Sequence, residues 1–228
     1  EIRGQLRARS DSIQRDRLDR AAARQRKRGA ALAVGAEDRR RWHLVIEVTD
    51  EGEAARATGG RLVHGDGWSG GGVSIETRTL VAGDLFVALK DVRDGHDFLA
   101  QAFVSGACAA LISDASKADG LGPALVVGDV LDGLRKLGEA ARDRSAAKRV
   151  AVTGSVGKTS TKEALAVCLS ASGATHRSVK SYNKHWGVPP TLSGMTRESQ
   201  FAVFEIGINH RGEILPLTTL VKPHIAIV

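Results

Sequence analysis

The chain has 228 residues, enough for one large or two modest domains with sizeable cores. Hydrophobic residues at 42% and charged residues at 26% exclude a fibrous or wholly disordered chain, and two cysteines, Cys108 and Cys168, exclude a disulfide framework or a four-cysteine zinc site. The formal charge of +7 sits in one segment: residues 1–43 hold 13 Lys and Arg against 6 Asp and Glu, and the remainder balances at 20 and 20.

Residues 1–43 read as a basic tail, densest at Arg24-Gln25-Arg26-Lys27-Arg28 and expected to be disordered or non-native. A basic arm can hold phosphate backbones, but its one aromatic, Trp42, provides no stacking platform, so no specific nucleic-acid partner is expected. No apolar run approaches the roughly 20 residues of a membrane span, and no secretory signal opens the chain. A soluble, reducing, cytoplasmic setting without a membrane partner is the expectation.

From about Leu44 the pattern changes. Glu53–Thr58 reads as a short helix closed by Gly59-Gly60. Val73–Ile75 and Leu85–Leu89 read as strands, with Ala82-Gly83-Asp84 as a turn between them. Asp97–Ser105 is a helix that Gly106 stops. Ala109–Ile112 and Ala124–Val127 are buried strands, and Val130–Arg144 is a helix with Leu131, Leu134, Leu137 and Ala141 on one face. The polar stretch Arg142–Lys148 reads as a linker. Val150–Val152 is a strand, Thr159–Ser172 a helix with Ala164, Val167, Cys168 and Ala171 on its apolar face, Phe201–Ile206 a buried strand, and His224–Val228 the beginning of another. Both cysteines read as small core residues. The expected class is α/β: a small N-terminal α/β domain over 44–147, followed by a P-loop-type α/β ATPase domain over 148–228 with fewer strands than a doubly wound sheet needs.

The most informative stretch is Val152-Thr153-Gly154-Ser155-Val156-Gly157-Lys158-Thr159-Ser160, in which a strand feeds a tight loop and the loop feeds a helix N-terminus. Glycines at 154 and 157 let backbone N–H groups approach phosphate oxygens, and the helix end adds partial positive charge. Lys158 can reach the outer phosphates, and the Thr159 hydroxyl is placed to ligate Mg²⁺. Residues 153–160 are thus the candidate nucleotide cradle. The general phosphate-loop pattern has glycine where Val152 stands, so this is a shorter variant; the bland alternative is a glycine turn before a surface lysine.

Glu205 lies in the apolar run Phe204-Glu205-Ile206, where burial disfavours a carboxylate unless a cation or donors compensate. It reads as a magnesium-holding residue, with a solvent-exposed strand-end glutamate as the alternative. His210, alone after that strand, reads as a structural hydrogen-bonding group. The polar loop Ser181–Pro189 carries Asn183, with donor and acceptor both free for a ligand.

Thr153–Thr159 (Thr-Gly-Ser-x-Gly-Lys-Thr), Glu205–Ile214 (Glu-x-Gly-x-Asn-His-x-Gly-Glu-Ile) and Asn183–Pro189 together resemble the Mur ligases, ATP-dependent enzymes of peptidoglycan precursor synthesis. Gly83–Leu89 and Asp94-Gly95-His96-Asp97-Phe98 extend the resemblance, which runs from about Glu53 to Val228. Two departures stand out: Glu76-Thr77-Arg78 where the family usually has Asp-Ser-Arg, and Lys184 where a second Asn is usual.

The resemblance is to the branch that adds D-alanyl-D-alanine to UDP-N-acetylmuramoyl-tripeptide. It implies ATP and Mg²⁺ as cofactors and a monomer. Thr77, Arg78, Asp94, Gly95, His96, Asn183 and Asn209 would contact substrate, Lys158, Glu205 and His210 would be catalytic, and Thr159 and Glu205 would hold the metal. The implied reaction forms an acyl phosphate from the tripeptide carboxylate, which the dipeptide amine then attacks. Other Mur-type ligases, adding diaminopimelate or lysine, and a non-catalytic nucleotide-binding module are the alternatives. By the family pattern the adenine contacts, a later lysine and the dipeptide-binding domain fall beyond Val228, so the expectation is an incomplete fragment, inactive alone.

Overall fold

The computed structural model describes residues 49–178, 187–207 and 212–228. The tail 1–43 lies outside the described residues. The chain enters through β1 (Thr49–Asp50) and α1 (Glu51–Thr58). Asp50 starts the helix by accepting the Glu53 backbone N–H at 2.7 Å, and Gly59, at φ 69°, ends it with a bond from its own N–H to Ala55 O. There follow β2 (Arg61–Val63), β3 (Ser69–Gly70), β4 (Gly72–Ser74), β5 (Asp84–Val87), a 3-10 turn over Gly95–Phe98, α2 (Leu99–Val104), β6 (Ala109–Ile112), β7 (Ala124–Val126) and α3 (Val130–Arg144).

β4, β5, β6 and β7 run parallel, and β2 joins the far edge antiparallel, in the order β2-β7-β6-β5-β4. Both faces are covered, so the central strands are apolar throughout rather than alternating. Leu85, Val87, Leu111 and Leu125 pack with Trp68 and with Val130, Leu134 and Leu137 of α3. Phe86, Ala110, Ile112 and Ala124 pack with Leu99 and Ala102 of α2.

A second sheet begins at β8 (Lys148–Val152), followed by α4 (Lys158–Ser170), β9 (Thr175–Arg177), α5 (Val188–Ser193), β10 (Phe201–Glu205), α6 (Ile214–Val221) and β11 (Ile225–Ile227). Its four strands are all parallel in the order β11-β8-β10-β9. Ala202, Phe204 and Ile206 join Ala151 and residues of α5 and α6 in one apolar cluster. The alternation of a strand puts Val203 and Glu205 on the other face.

Three expectations need correction. Arg142–Lys148 is no loose linker: α3 continues to Arg144, β8 starts at Lys148, and buried Arg142 donates from Nη1 to Leu220 O at 2.6 Å. Helix α4 is turned the other way round. Ala164, Val167, Cys168 and Ala171 face outward, while Lys162 and Ala166, one turn apart, are its buried residues. The inward face is set by the polar contacts of Lys162, which outweigh the apolar count. Cys168 is therefore exposed, not a core residue. Cys108 is half-buried, and burial first, then the nearby Asp84 carboxylate, pushes its thiol up to about 11.

β9 is tied to α5 by His176, whose Nε2–H donates to Thr191 O at 2.6 Å. Desolvation pushes its imidazole down to about 4, against a smaller upward pull from that carbonyl. The native protein therefore resists taking a proton that the unfolded chain accepts near pH 6.5. The contribution is fully present above pH 6.5 and is lost as the pH falls toward 4. Urea unfolding at pH 7 and pH 5 should show about 2 kcal/mol of acid destabilisation from this group, absent from His176→Gln.

Candidate nucleotide site and substrate cavity

The loop between β8 and α4 is shaped by two glycines at positive φ: Gly154 at 129° and Gly157 at 79°. Gly157 stands as the N-cap of α4 without a side-chain cap, so the first N–H groups of the helix stay directed at the loop. Ser155, Val156 and Ser160 are exposed around it, with Val156 at the tip 89% exposed. Lys158 folds back so that its Nζ donates to Gly154 O at 2.7 Å. Its ammonium thus lies over the concavity that the loop encloses. Thr153, paired to β11 through its N–H and Ile227 O, keeps a buried hydroxyl with no partner among the described residues.

Register brings the carboxylate to this loop. In the parallel pairing of β8 and β10, Glu205 stands opposite Val152, the last residue before the loop. The Thr159 hydroxyl then donates to Glu205 Oε2 at 2.9 Å. The Glu205 carboxylate is buried, with its own backbone N–H donating to Ser178 Oγ at 3.1 Å. The reading of Glu205 as an exposed strand-end residue is thereby excluded. Buried beside it is Lys162, which the sequence reading left unassigned; an EALA-like helix pattern hides a lysine that points inward.

The oxygens of Thr159 and Glu205 suit a hard divalent cation that draws its other ligands from phosphate and water. Among the described residues no cluster of three or more His, Cys, Asp or Glu makes an all-protein metal cage. The donor set therefore fits magnesium carried in with a nucleotide, and fits zinc poorly.

The first sheet has a cavity of about 300 Å³ over the carboxyl ends of β4 and β5. Thr77, Arg78, Asp91, Arg93, Gly95 and Phe98 are among its lining residues, with Phe86 and Leu89 on the floor. The Arg93 guanidinium lies 4.9 Å from the Phe98 ring centre, a planar cation against an aromatic face. Asp94 and His96 do not line the cavity. His96 is buried, its Nε2 accepts the Ser113 backbone N–H at 3.0 Å, and its Nδ1–H therefore donates to Asp94 Oδ1 at 2.6 Å. The His96 backbone N–H, then its ring, hold Asp94 below the usual carboxylate range. This pair braces the turn that carries Gly95 and Phe98. Thr77, Arg78 and Gly95 are thus brought together, and Asp94 and His96 stand behind them. Asn183, Asn209 and His210 lie outside the described residues.

Residues 152–228 match the Mur ligase middle domain. The UDP-N-acetylmuramoyl-tripeptide--D-alanyl-D-alanine ligase of Escherichia coli strain K12 is 43% identical over 157 residues, covering 68% of this chain and 34% of that one. The chain is thus similar to Mur ligases over about two thirds of its own length. Among solved structures, the D-alanyl-D-alanyl ligase of Acinetobacter baumannii superposes with a TM-score of 0.70 at 34% identity, over 81% of this chain and 42% of that one. The MurF ligase of Thermotoga maritima, solved with ADP, superposes with a TM-score of 0.54 at 27% identity, over 67% and 35%. The chain spans about a third of the length of the curated relatives it matches.

The two sites differ in how tightly their glycines are held. A Cβ at Gly157 meets nothing within 4 Å, so Gly157→Ala bears only the positive-φ strain, roughly 1–2 kcal/mol. A Cβ at Gly95 falls 2.5 Å from Leu89 O and 2.6 Å from the Ala88 carbonyl carbon. Urea unfolding should find Gly95→Ala the more destabilised of the two.

Proposed function

We propose that these residues carry the UDP-substrate and nucleotide sites of an ATP-dependent ligase joining D-alanyl-D-alanine to UDP-N-acetylmuramoyl-tripeptide. The carrying observation is the Thr159 hydroxyl on buried Glu205, directly beneath a glycine loop whose lysine lies over the phosphate concavity. The names of the relatives give the substrate pair, and the complex of the Thermotoga maritima protein with ADP supports a nucleotide ligand. Under this reading residues 44–147 form the UDP-substrate domain and residues 148–228 part of the central ATP-binding domain.

The backbone N–H groups of 154–160 and the N-terminus of α4 cradle the nucleotide's phosphates. Lys158 exchanges the Gly154 carbonyl for a phosphate oxygen, a switch between two acceptors within reach of one flexible side chain. Thr159 and Glu205 would hold magnesium, which would supply charge neutralisation at the outer phosphates. A tripeptide carboxylate approaching the γ-phosphate brings like charges together, and Lys158 with the helix end offsets that repulsion. The γ-phosphoryl transfers to the carboxylate as ADP leaves; the dipeptide amine then attacks the acyl carbon and phosphate departs. Asn183, Asn209 and His210 are assigned to substrate and catalysis by their motif positions. In the first cavity, Arg78 and Thr77 offer donors to the diphosphate or ribose of the UDP moiety, and Phe98 an aromatic face to its base.

Calorimetry on the 228-residue chain separates the two sites. Arg78→Ala should lower affinity for UDP-N-acetylmuramoyl-tripeptide at least tenfold while leaving ADP binding intact, the loss of one charge-assisted contact. Lys158→Ala should do the reverse. Competition between the two ligands for one site would sink the proposal. In an enzyme containing this stretch, phosphate release from ATP should require both the tripeptide nucleotide and D-alanyl-D-alanine.

A further inference from the structure

We infer that Lys162 is the built-in counter-ion of Glu205, holding that carboxylate buried beside the phosphate loop while no metal cation is bound. The inference rests on the proposed role of Glu205 as a metal-holding side chain. Lys162 lies one helical turn beyond Lys158 and is fully buried. Its Nζ donates to Ser178 O at 2.9 Å and lies 3.1 Å from Glu163 Oε1 and 3.9 Å from Glu205 Oε2.

Of the two carboxylates, the nearer one is the lesser partner. Glu163 is 46% exposed and is also held by Arg177 Nε at 3.1 Å, so water screens its attraction to Lys162. The Glu205 side chain is 2% exposed. Lengthening a contact from 3.1 to 3.9 Å weakens the Coulomb attraction by about a fifth, a small loss beside the screening that water and the competing Arg177 impose on Glu163. Burial therefore decides that the Lys162 charge acts chiefly on Glu205.

Ser178 makes the coupling geometric as well as electrostatic. Its carbonyl takes the Lys162 ammonium, and its hydroxyl accepts the Glu205 backbone N–H. One buried serine thus fixes the lysine and the strand end that carries the carboxylate. The two lysines of α4 divide the work: Lys158, at the mouth, lies where phosphates arrive, and Lys162, beneath, stabilises the acid that waits for the cation. Lys162 is in this sense a positioning residue.

Thermal melting of the chain and three variants tests this. Lys162→Met should lower the melting temperature by about 10 °C or leave the chain unfolded, because it removes the buried positive charge that faces the Glu205 carboxylate. The double variant Lys162→Met with Glu205→Gln removes both charges and should fold and melt well above Lys162→Met, close to Glu205→Gln alone. A lysine that served only Ser178 or packing would give no such rescue, and a double variant no more stable than Lys162→Met overturns the inference. The second arm adds ADP with EDTA or with magnesium chloride. The extra stabilisation that magnesium gives should be larger in folded Lys162→Met than in the unaltered chain, since the cation replaces the missing charge; an equal or smaller gain overturns it. If the unaltered chain gains nothing from ADP in either buffer, the nucleotide reading falls, while the charge rescue still decides whether Lys162 neutralises Glu205.

Discussion

The contact between the Thr159 hydroxyl and Glu205 Oε2 joins two elements that are 46 residues apart in the chain, and the geometry of the loop depends on it. It exists because β8 and β10 pair in a parallel register that sets Glu205 against Val152. A slip of one residue would move Glu205 to the face occupied by Phe204 and Ile206, into an apolar cluster with no donors for it. The apolar residues flanking Glu205 enforce the register, since Ala202, Phe204 and Ile206 must all bury on one side. The hydrophobic pattern of the strand thus positions its one charged side chain.

The cavity of the first sheet is built on the same principle with different parts. There the polar brace is the Asp94–His96–Ser113 chain, which ties the turn over Gly95–Phe98 to the residue just beyond β6. His96 is a spacer with a fixed tautomer: its Nε2 accepts a backbone N–H, so its proton must be on Nδ1 and directed at Asp94. In the first cavity Arg78 and Arg93 stand beside a turn braced by the buried His96, and at the glycine loop the support comes from the buried Glu205 beneath Thr159.

Much of this was legible in the residues. Strands with short apolar runs and helices with glycine stops were found where they stand, because local propensity and tertiary packing agree there. The phosphate loop was readable because two glycines, a lysine and a threonine must occur in order for such a loop to work. What escaped had physical causes. Ser181–Pro189 reads as a loop to its end, yet a proline in the first helical turn loses no hydrogen bond, and α5 starts at Val188. The orientation of α4 was misread because hydrophobic periodicity assumes that apolar residues face inward. In this helix a buried ammonium with a carbonyl, a carboxylate and a helix neighbour around it takes that side. His96 and Asp94 were legible as a motif, but motif position alone does not separate a side chain that touches a ligand from one that holds the turn.

Helix α3 shows why the two sheets share one framework. Its sheet-facing residues, Val130, Leu134 and Leu137, belong to the core of the first sheet. On another side Gly138 lets α5 approach, with Leu192 side-chain atoms and Pro189 O 3.4 Å from where a Cβ would stand, and Ser193 Oγ donates to Leu134 O. At its end Arg142 reaches Leu220 O of α6, and Arg144 spans from Glu53 of α1 to Met195 O. Arg197, from the second sheet's connections, closes on the other oxygen of Glu53 at 2.9 Å. Surface ion pairs add little singly, but Arg144 and Glu53 are largely buried and each makes two contacts, which fixes direction as well as distance. Two sites on one chain can act on one long ligand only where they are held at a constant spacing. The helix that completes the first core is the one that packs α5 and α6 against it, so the spacing is set by core packing instead of by a flexible linker.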